Sequence, residues 1–186
     1  MQQPRCQLRA MMTARPIFPA PGAITPAPVP SAAFRQAMAQ VTASVHVITT
    51  ASGEHRAGLT ASAVTSLSDA PPMMLACIHS DSNTLAQIEA NGVFCINTLS
   101  GEDQAVAEVF AGRKGLEGEA RFTVGAWTRL VTGSPVLGNS LNCFDCRLVD
   151  VRTMATHRIV VGEVLALGGR QQGPGLIYRN RLFGTF

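Results

Sequence analysis

This 186-residue chain has few of the residues that usually carry chemistry or anchor a large core. Aromatics make up 5% of it, with Trp127 the single tryptophan and Tyr178 the single tyrosine, and charged residues make up only 15%. No apolar run approaches the roughly 20 residues that a bilayer-crossing helix needs, so no membrane role is expected. No acidic residue precedes Ser31, so Arg5, Arg9 and Arg15 account for the net charge of +3, and twelve basic residues balance twelve acidic ones thereafter. Binding to phosphate backbones calls for a basic stripe on the folded part, and a neutral balance there excludes nucleic acid as the expected partner.

Known catalytic signatures are missing as well. There is no Gly-x-Gly-x-x-Gly behind a strand and no Walker loop, so a dinucleotide would bind without a Rossmann device. Paired carboxylates, a nucleophile elbow and a histidine cluster are absent, and His46, His55, His79 and His157 are scattered. An enzyme this short of reactive side chains borrows a cofactor and supplies position and electrostatics. A binding protein without turnover fits the same shortage. Five cysteines are an odd number, and the N-terminus lacks the charged-then-apolar pattern of a secretory signal. The expectation is a reducing, cytoplasmic setting with thiols used as small hydrophobes. Cys143 and Cys146 have the spacing of half a zinc site, but no second pair completes it. On a strand, residues three apart point to opposite faces, so no metal is expected.

Residues 1–30 hold seven of the eleven prolines and should form a disordered Pro/Ala-rich tail. Residues 31–186 should form the single folded domain, opening with Ser31 as a helix cap before Phe34, Ala37, Met38 and Val41 at helical spacing. Strands are predicted over residues 45–50, 56–66, 73–79, 93–99, 141–152, 158–167 and 176–178, with 69–72 interrupting the second. Asp81 or Ser82 caps a short helix ended by Asn91-Gly92. Ser100 with Asp103 forms a capping box opening a helix through Phe110, and residues 112–120 read as an exposed loop. Strands come in neighbouring groups with only short helices between them. That order predicts a mainly β, antiparallel, Greek-key-like barrel rather than a doubly wound sheet.

The most informative stretch is residues 58–72, which carries five hydroxyl side chains and a single charge, Asp69. Small residues let a flat ligand approach the backbone, and hydroxyls can bond its polar rim. The same residues also suit a strand packed closely on its neighbour. Ser82-Asn83-Thr84 sits where free helix amides favour an anion such as phosphate, or where one of the three simply caps the helix. Asn97 stands in the apolar strand Val-Phe-Cys-Ile-Asn-Thr-Leu and needs partners from backbone or ligand. His157 opens a strand, either facing a ligand or solvated.

In this order the pieces resemble the short-chain flavin reductase family, with its FMN-binding split barrel. The landmarks are Phe34-Arg-Gln-Ala-Met38, Val47-Ile-Thr-Thr50, Gly58-Leu-Thr-Ala-Ser-Ala63, Ser66-Leu-Ser-Asp-Ala-Pro-Pro72, Asn97-Thr-Leu99, Phe110-Ala-Gly112 and His157-Arg-Ile-Val-Val-Gly-Glu-Val164. The resemblance implies a homodimer that binds FMN or FAD and oxidises NADH or NADPH. It places Thr60, Ala61, Ser62 and Ala63 beside the isoalloxazine, with Ser66 next to them. Cys77 to Thr84 follow the ribityl phosphate, with Ser82, Asn83 and Thr84 as contacts, and Asn97 and Phe110 complete the implied flavin set. His157 lies at the nicotinamide side as the catalytic position, and Tyr178 closes the pocket. Relatives often carry Gly-Asp where this chain has Ala155-Thr156. The implied activity is NAD(P)H:flavin oxidoreduction that delivers reduced flavin to a partner monooxygenase, such as a 4-hydroxyphenylacetate 3-monooxygenase type. The alternatives are reduction of a cobalt(II) corrinoid, cob(II)yrinic acid a,c-diamide, and a non-catalytic flavin- or haem-binding carrier or sensor.

Overall fold

The computed structural model describes residues 27–170 and 172–186. Most of the expected tail, residues 1–26, therefore lies outside the described residues. Helix α1 (Ser31–Met38) and a two-residue strand β1 (Ala43–Ser44) lead into β2 (His46–Ser52) and β3 (His55–Ala61). Strands β4 (Val64–Asp69) and β5 (Pro72–His79) follow, then α2 (Asn83–Asn91) and β6 (Val93–Thr98). A 3-10 turn, Gly101–Asp103, runs into α3 (Gln104–Phe110), and a second 3-10 segment spans Gly118–Thr123. Strands β7 (Trp127–Arg129) and β8 (Pro135–Leu137) form a small ribbon. Long strands β9 (Asn142–Met154) and β10 (His157–Gly168) form a hairpin, and β11 (Leu176–Arg179) and β12 (Leu182–Thr185) end the chain.

Seven strands pair antiparallel in the order β3-β2-β6-β9-β10-β5-β4. The two outermost strands, β3 and β4, are consecutive in sequence, joined only by Ser62 and Ala63. A sheet whose edges are linked by so short a segment must curl until the edges meet. Bulges at Leu67 in β4, Val149 in β9 and Leu165 in β10 supply part of that curvature. The result is the expected split barrel, and the split lies at residues 62–63. The sequence places one long strand over 56–66. The structure breaks it there, because the chain leaves one edge of the sheet and joins the other.

Strand β2 is buried over its first five residues, an unbroken run explained by a core on each face. Val47 packs with Val106, Phe110, Phe122 and Leu176, whereas its neighbour Ile48 packs with Leu85, Ile88, Phe94 and Val160 inside the barrel. Phe94 lies over Gly162, where a Cβ would collide with its ring. Cys143 joins Cys95 and Val136 in a third cluster while Cys146 joins the barrel interior, so the two thiols do diverge. Both are free, and burial pushes the Cys146 thiol up to about 12.

The helix signals hold locally. Ser82 Oγ accepts from the Leu85 amide at 3.4 Å, Gly92 takes a left-handed φ of 68° at the C-cap, and Ser100 with Asp103 makes the capping box. At α1 the cap is Pro30 instead, and Ser31 accepts a bond from Arg35.

Candidate active site at the barrel split

Where β3 leaves the sheet, its outer edge has no ladder partner. Leu59 to Ala63 form one wall of a cavity of about 390 Å³, facing Cys77, His79, Ser82 and His157. Cys77 donates its amide to the Ala63 carbonyl at 2.9 Å, which holds the split closed at its base. Among the described residues, the amides of Ser62 and Ala63 find no acceptor. Buried amides are almost always paired, and these two are spared the cost only because they sit at an exposed edge. They are donors open to solvent or to a ligand.

Thr60 is positioned differently from expectation. Its hydroxyl donates to the Ala107 carbonyl of α3 at 2.7 Å, so what it offers a ligand is backbone and a methyl group. Behind this strand Gly58 is pressed by Phe110, whose ring lies 2.6 Å from where a Cβ would stand. Phe110 is itself buried in an aromatic cluster with Phe122 and Trp127, at centroid distances of 5.0 and 5.4 Å. It therefore braces β3 and does not line the cavity, a correction to its expected contact role.

His157 and His79 face each other in register across β10 and β5, their rings T-shaped at 5.2 Å. Thr156 Oγ1 lies 2.9 Å from His157 Nδ1, and His79 Nδ1 accepts the Asp81 amide at 3.3 Å. Ala155 takes a φ of 53° at the first position of the two-residue β9–β10 turn, a conformation glycine adopts without strain. His79 was not singled out in the sequence, because cross-strand register sets it opposite His157 and no local pattern reveals that.

Helix α2 begins at the end of this cavity. Ser82 lines it, while Asn83 and Thr84 line an adjoining one of about 320 Å³ with Gly58, Gln87 and Arg121. Ser80 Oγ, buried just before the helix, has no partner among the described residues. The start of a helix, with unpaired Asn83 and Thr84 amides among the described residues and polar side chains around them, fits an anion. Together, two free amides along a strand of small residues and this polar end accommodate a flat ring with a phosphate tail. The residues present fit a flavin nucleotide.

Tyr178 lies on the other side of the split. It lines a cavity of about 170 Å³ with Thr60, Ala61, Ser62 and Arg113, and a second of about 450 Å³ with Ser62, Ala63 and residues of α1. Two expected contacts fall elsewhere. Ser66 is exposed in a separate apolar groove with Met73 and Val164. Asn97 is fully buried: its Nδ2 donates to the Val47 carbonyl at 3.1 Å, and its Oδ1 accepts from the Leu137 amide at 2.8 Å. Protein groups consume that side chain, so it ties β7–β8 to the barrel and cannot reach a ligand.

Comparison with known proteins decides the family. The profile of the Flavin reductase like domain matches residues 38–186. The chain belongs to the flavin reductase-like family. It is 42% identical over 158 residues to an FMN reductase (NADH) RutF 1 from Methylorubrum extorquens, a match covering 85% of this chain and 78% of that protein. Among solved structures, a candidate flavin reductase from Haemophilus somnus superposes with a TM-score of 0.81 at 35% identity, covering 85% of this chain and all of the other. BorF, the flavin reductase component of a bacterial two-component tryptophan halogenase, gives a TM-score of 0.77 at 26% identity, covering 84% and 98% of the two chains. A flavin reductase-like enzyme is an oxidoreductase that works with a flavin and a nicotinamide, and the poverty of reactive side chains around Ser62 suits such borrowed chemistry.

Proposed function

We propose that this protein is an NAD(P)H:flavin oxidoreductase whose reduced flavin is passed to a partner monooxygenase. One observation carries the reading: the unladdered β3 edge, with the Ser62 and Ala63 amides free at the mouth of a cavity of about 390 Å³. A bound FMN or FAD would supply the two-electron chemistry, taking hydride from the nicotinamide. The chain's own work is positional. Ser62 and Ala63 donate to the polar rim of the ring, and Ala61 keeps the wall low so that a second ring can approach. Ser82, Asn83 and Thr84, with Arg121 nearby, hold the phosphate end. His157, steadied by Thr156 and the His79 ring, borders the opening and positions the nicotinamide.

Delivery to a separate oxygenase is supported by BorF, which is itself one component of a two-component system. Use of NADH and FMN is supported by the RutF relative. A homodimer is supported by exposed apolar surface on the opposite face of the barrel, at Leu67, Leu165 and Leu167. No helix among the described residues is long and apolar enough to cross a membrane, and a cytoplasmic location accords with the free thiols of Cys77, Cys95, Cys143 and Cys146. The test mixes purified protein with NADH or NADPH and FMN or FAD and follows the reduced-nicotinamide absorbance. Flavin-dependent loss supports the reading, and no loss with any combination overturns it. Adding a candidate oxygenase or cob(II)yrinic acid a,c-diamide then identifies the acceptor.

A further inference from the structure

Charge is balanced over the fold but not evenly distributed. Beyond residue 30 the chain has twelve Lys and Arg, the total of fifteen less three in the tail, and seven of them pair with a carboxylate. Arg121 donates to the carbonyls of Leu116 and Gly58. The four left are Arg35, Arg113, Arg179 and Arg181, and every acidic side chain that could have paired with them is among the described residues. All four belong to the Tyr178 end of the split. Arg113 donates to Tyr178 Oη at 3.1 Å, its guanidinium 5.6 Å from that ring's centre and 5.4 Å from that of Phe183. Arg35 and Arg181 line the cavity of about 450 Å³ that opens onto Ser62 and Ala63. Arg179 lines neither cavity.

Arg181 is also held in an unusual conformation. The turn joining β11 to β12 consists of Asn180 and Arg181, with φ of 51° and 63°. A two-residue hairpin with both central φ positive prefers Asn-Gly, so Asn180 fits while Arg181 stands where glycine is favoured. The turn is pinned to α1, since the Asn180 amide donates to the Ala39 carbonyl at 2.7 Å. That bond fixes Arg35 and Arg181 around one cavity with an apolar floor of Phe34, Met38 and Val41. A guanidinium carried on a strained backbone, uncompensated in charge, at the rim of a cavity that shares Ser62 and Ala63 with the proposed site is suited to an anionic ligand.

We infer that Arg35 and Arg181 bind the phosphates of the nicotinamide dinucleotide, an inference that rests on the proposed oxidoreductase reading. The Tyr178 and His157 cavities both include Ser62 and Ala63, so one elongated ligand has access to both. Two guanidiniums at the rim serve the pyrophosphate shared by both coenzymes or the 2′-phosphate of NADPH alone. The apolar floor accepts a base or nicotinamide ring.

The experiment titrates full-length wild-type protein, Arg35→Gln, Arg181→Gln and Arg181→Gly with NAD+, NADP+ and FMN by calorimetry, and melts each variant. Each Gln variant should weaken dinucleotide binding by roughly fivefold or more, as expected for a lost charged hydrogen bond, while the FMN constant stays within about twofold. Equal loss for both coenzymes assigns the pyrophosphate, and loss confined to NADP+ assigns the 2′-phosphate. Arg181→Gly should bind dinucleotide as poorly as Arg181→Gln yet melt about 2–4 °C higher, because the turn strain is relieved. Dinucleotide constants unchanged in all three variants, or FMN affinity falling in step with them, overturns the inference while leaving the flavin reading intact. A wild-type protein that binds no FMN removes both.

Discussion

Acid should destabilise this protein through one identifiable side chain, His46. It opens β2 directly opposite Ala61, on the strand that forms the cavity wall, and is 7% exposed. Thr98 Oγ1, 3.1 Å from Nδ1, is its hydrogen-bond partner. Burial pushes the imidazole down from 6.5 to about 4, because the charged ring would lose its hydration with no carboxylate to replace it. Above pH 6.5 the ring is neutral in both folded and unfolded chains and pH has no leverage through it. Between 6.5 and 4 only the unfolded chain takes up the proton, so stability falls as the pH falls. Below 4 both states are protonated and the loss is complete. A fall from 6.5 to about 4 amounts to roughly 3 kcal/mol, at about 1.4 kcal/mol per pH unit within the window.

A total stability of roughly 5–15 kcal/mol makes that loss easy to see. Urea unfolding at a series of pH values from 7.5 to about 4.5 should show a midpoint that drops steadily below 6.5 with an unchanged slope. The upper part of the window lies above the range where carboxylates titrate, which isolates the imidazole. His46→Gln keeps a hydrogen-bonding amide near Thr98 and has no proton to take up, so its midpoint should be flat from 6.5 to about 5. If wild type and His46→Gln lose the same stability over that interval, the buried imidazole is not the cause and the reasoning fails.

Three further outcomes bear on the site. Ser62→Trp places bulk at an exposed position where three cavities meet, and should weaken FMN binding by roughly tenfold or more with little change in melting temperature; unchanged fluorescence titration would move the flavin elsewhere. His157→Ala should raise the KM for the nicotinamide by about fivefold while the flavin KM holds, and steady-state kinetics with either substrate varied will show whether the two separate. Asn97→Leu strips the Leu137 amide of its acceptor, and should cost about 2–4 kcal/mol in urea unfolding without altering FMN affinity below the melt; weaker FMN binding with normal stability would return Asn97 to the site.

Much of the architecture was legible because it is encoded locally. β-branched runs such as 45–50 and 158–167 became strands, and Ser82, Gly92 and the Ser100–Asp103 box ended or began helices through bonds made within a few residues. What could not be read was non-local. Strands β7 and β8 are three residues each, one opening with Pro135, and they hold together through Asn97 and the aromatic cluster on Trp127. Strand β12 follows a charged turn and contains Gly184, so its composition argues against a strand until β11 pairs with it. Asn97 and Phe110 lie inside the family's motifs yet serve packing, which a motif cannot distinguish from contact. Conversely, nothing local sets Arg35 and Arg181 apart from the other arginines, since only the fold reveals which cations lack an acid.

The break at Ser62–Ala63 shows how such a plain sequence can make the proposed binding site. A closed barrel has no free edge, because every strand amide is paired. Crossing from one edge of the sheet to the other in two residues leaves a short stretch whose amides have no ladder acceptor, although the Ala63 carbonyl accepts from the Cys77 amide. Large side chains there would fill the gap and charged ones would solvate it, so Ala61, Ser62 and Ala63 leave it open. The site then depends on topology more than on any reactive group: restoring the ladder, or covering it, removes the donors. Catalysis by a borrowed cofactor needs such a pre-oriented edge, and the rest of the barrel, from Phe110 behind Gly58 to the Cys77 amide at the base, holds that edge in place.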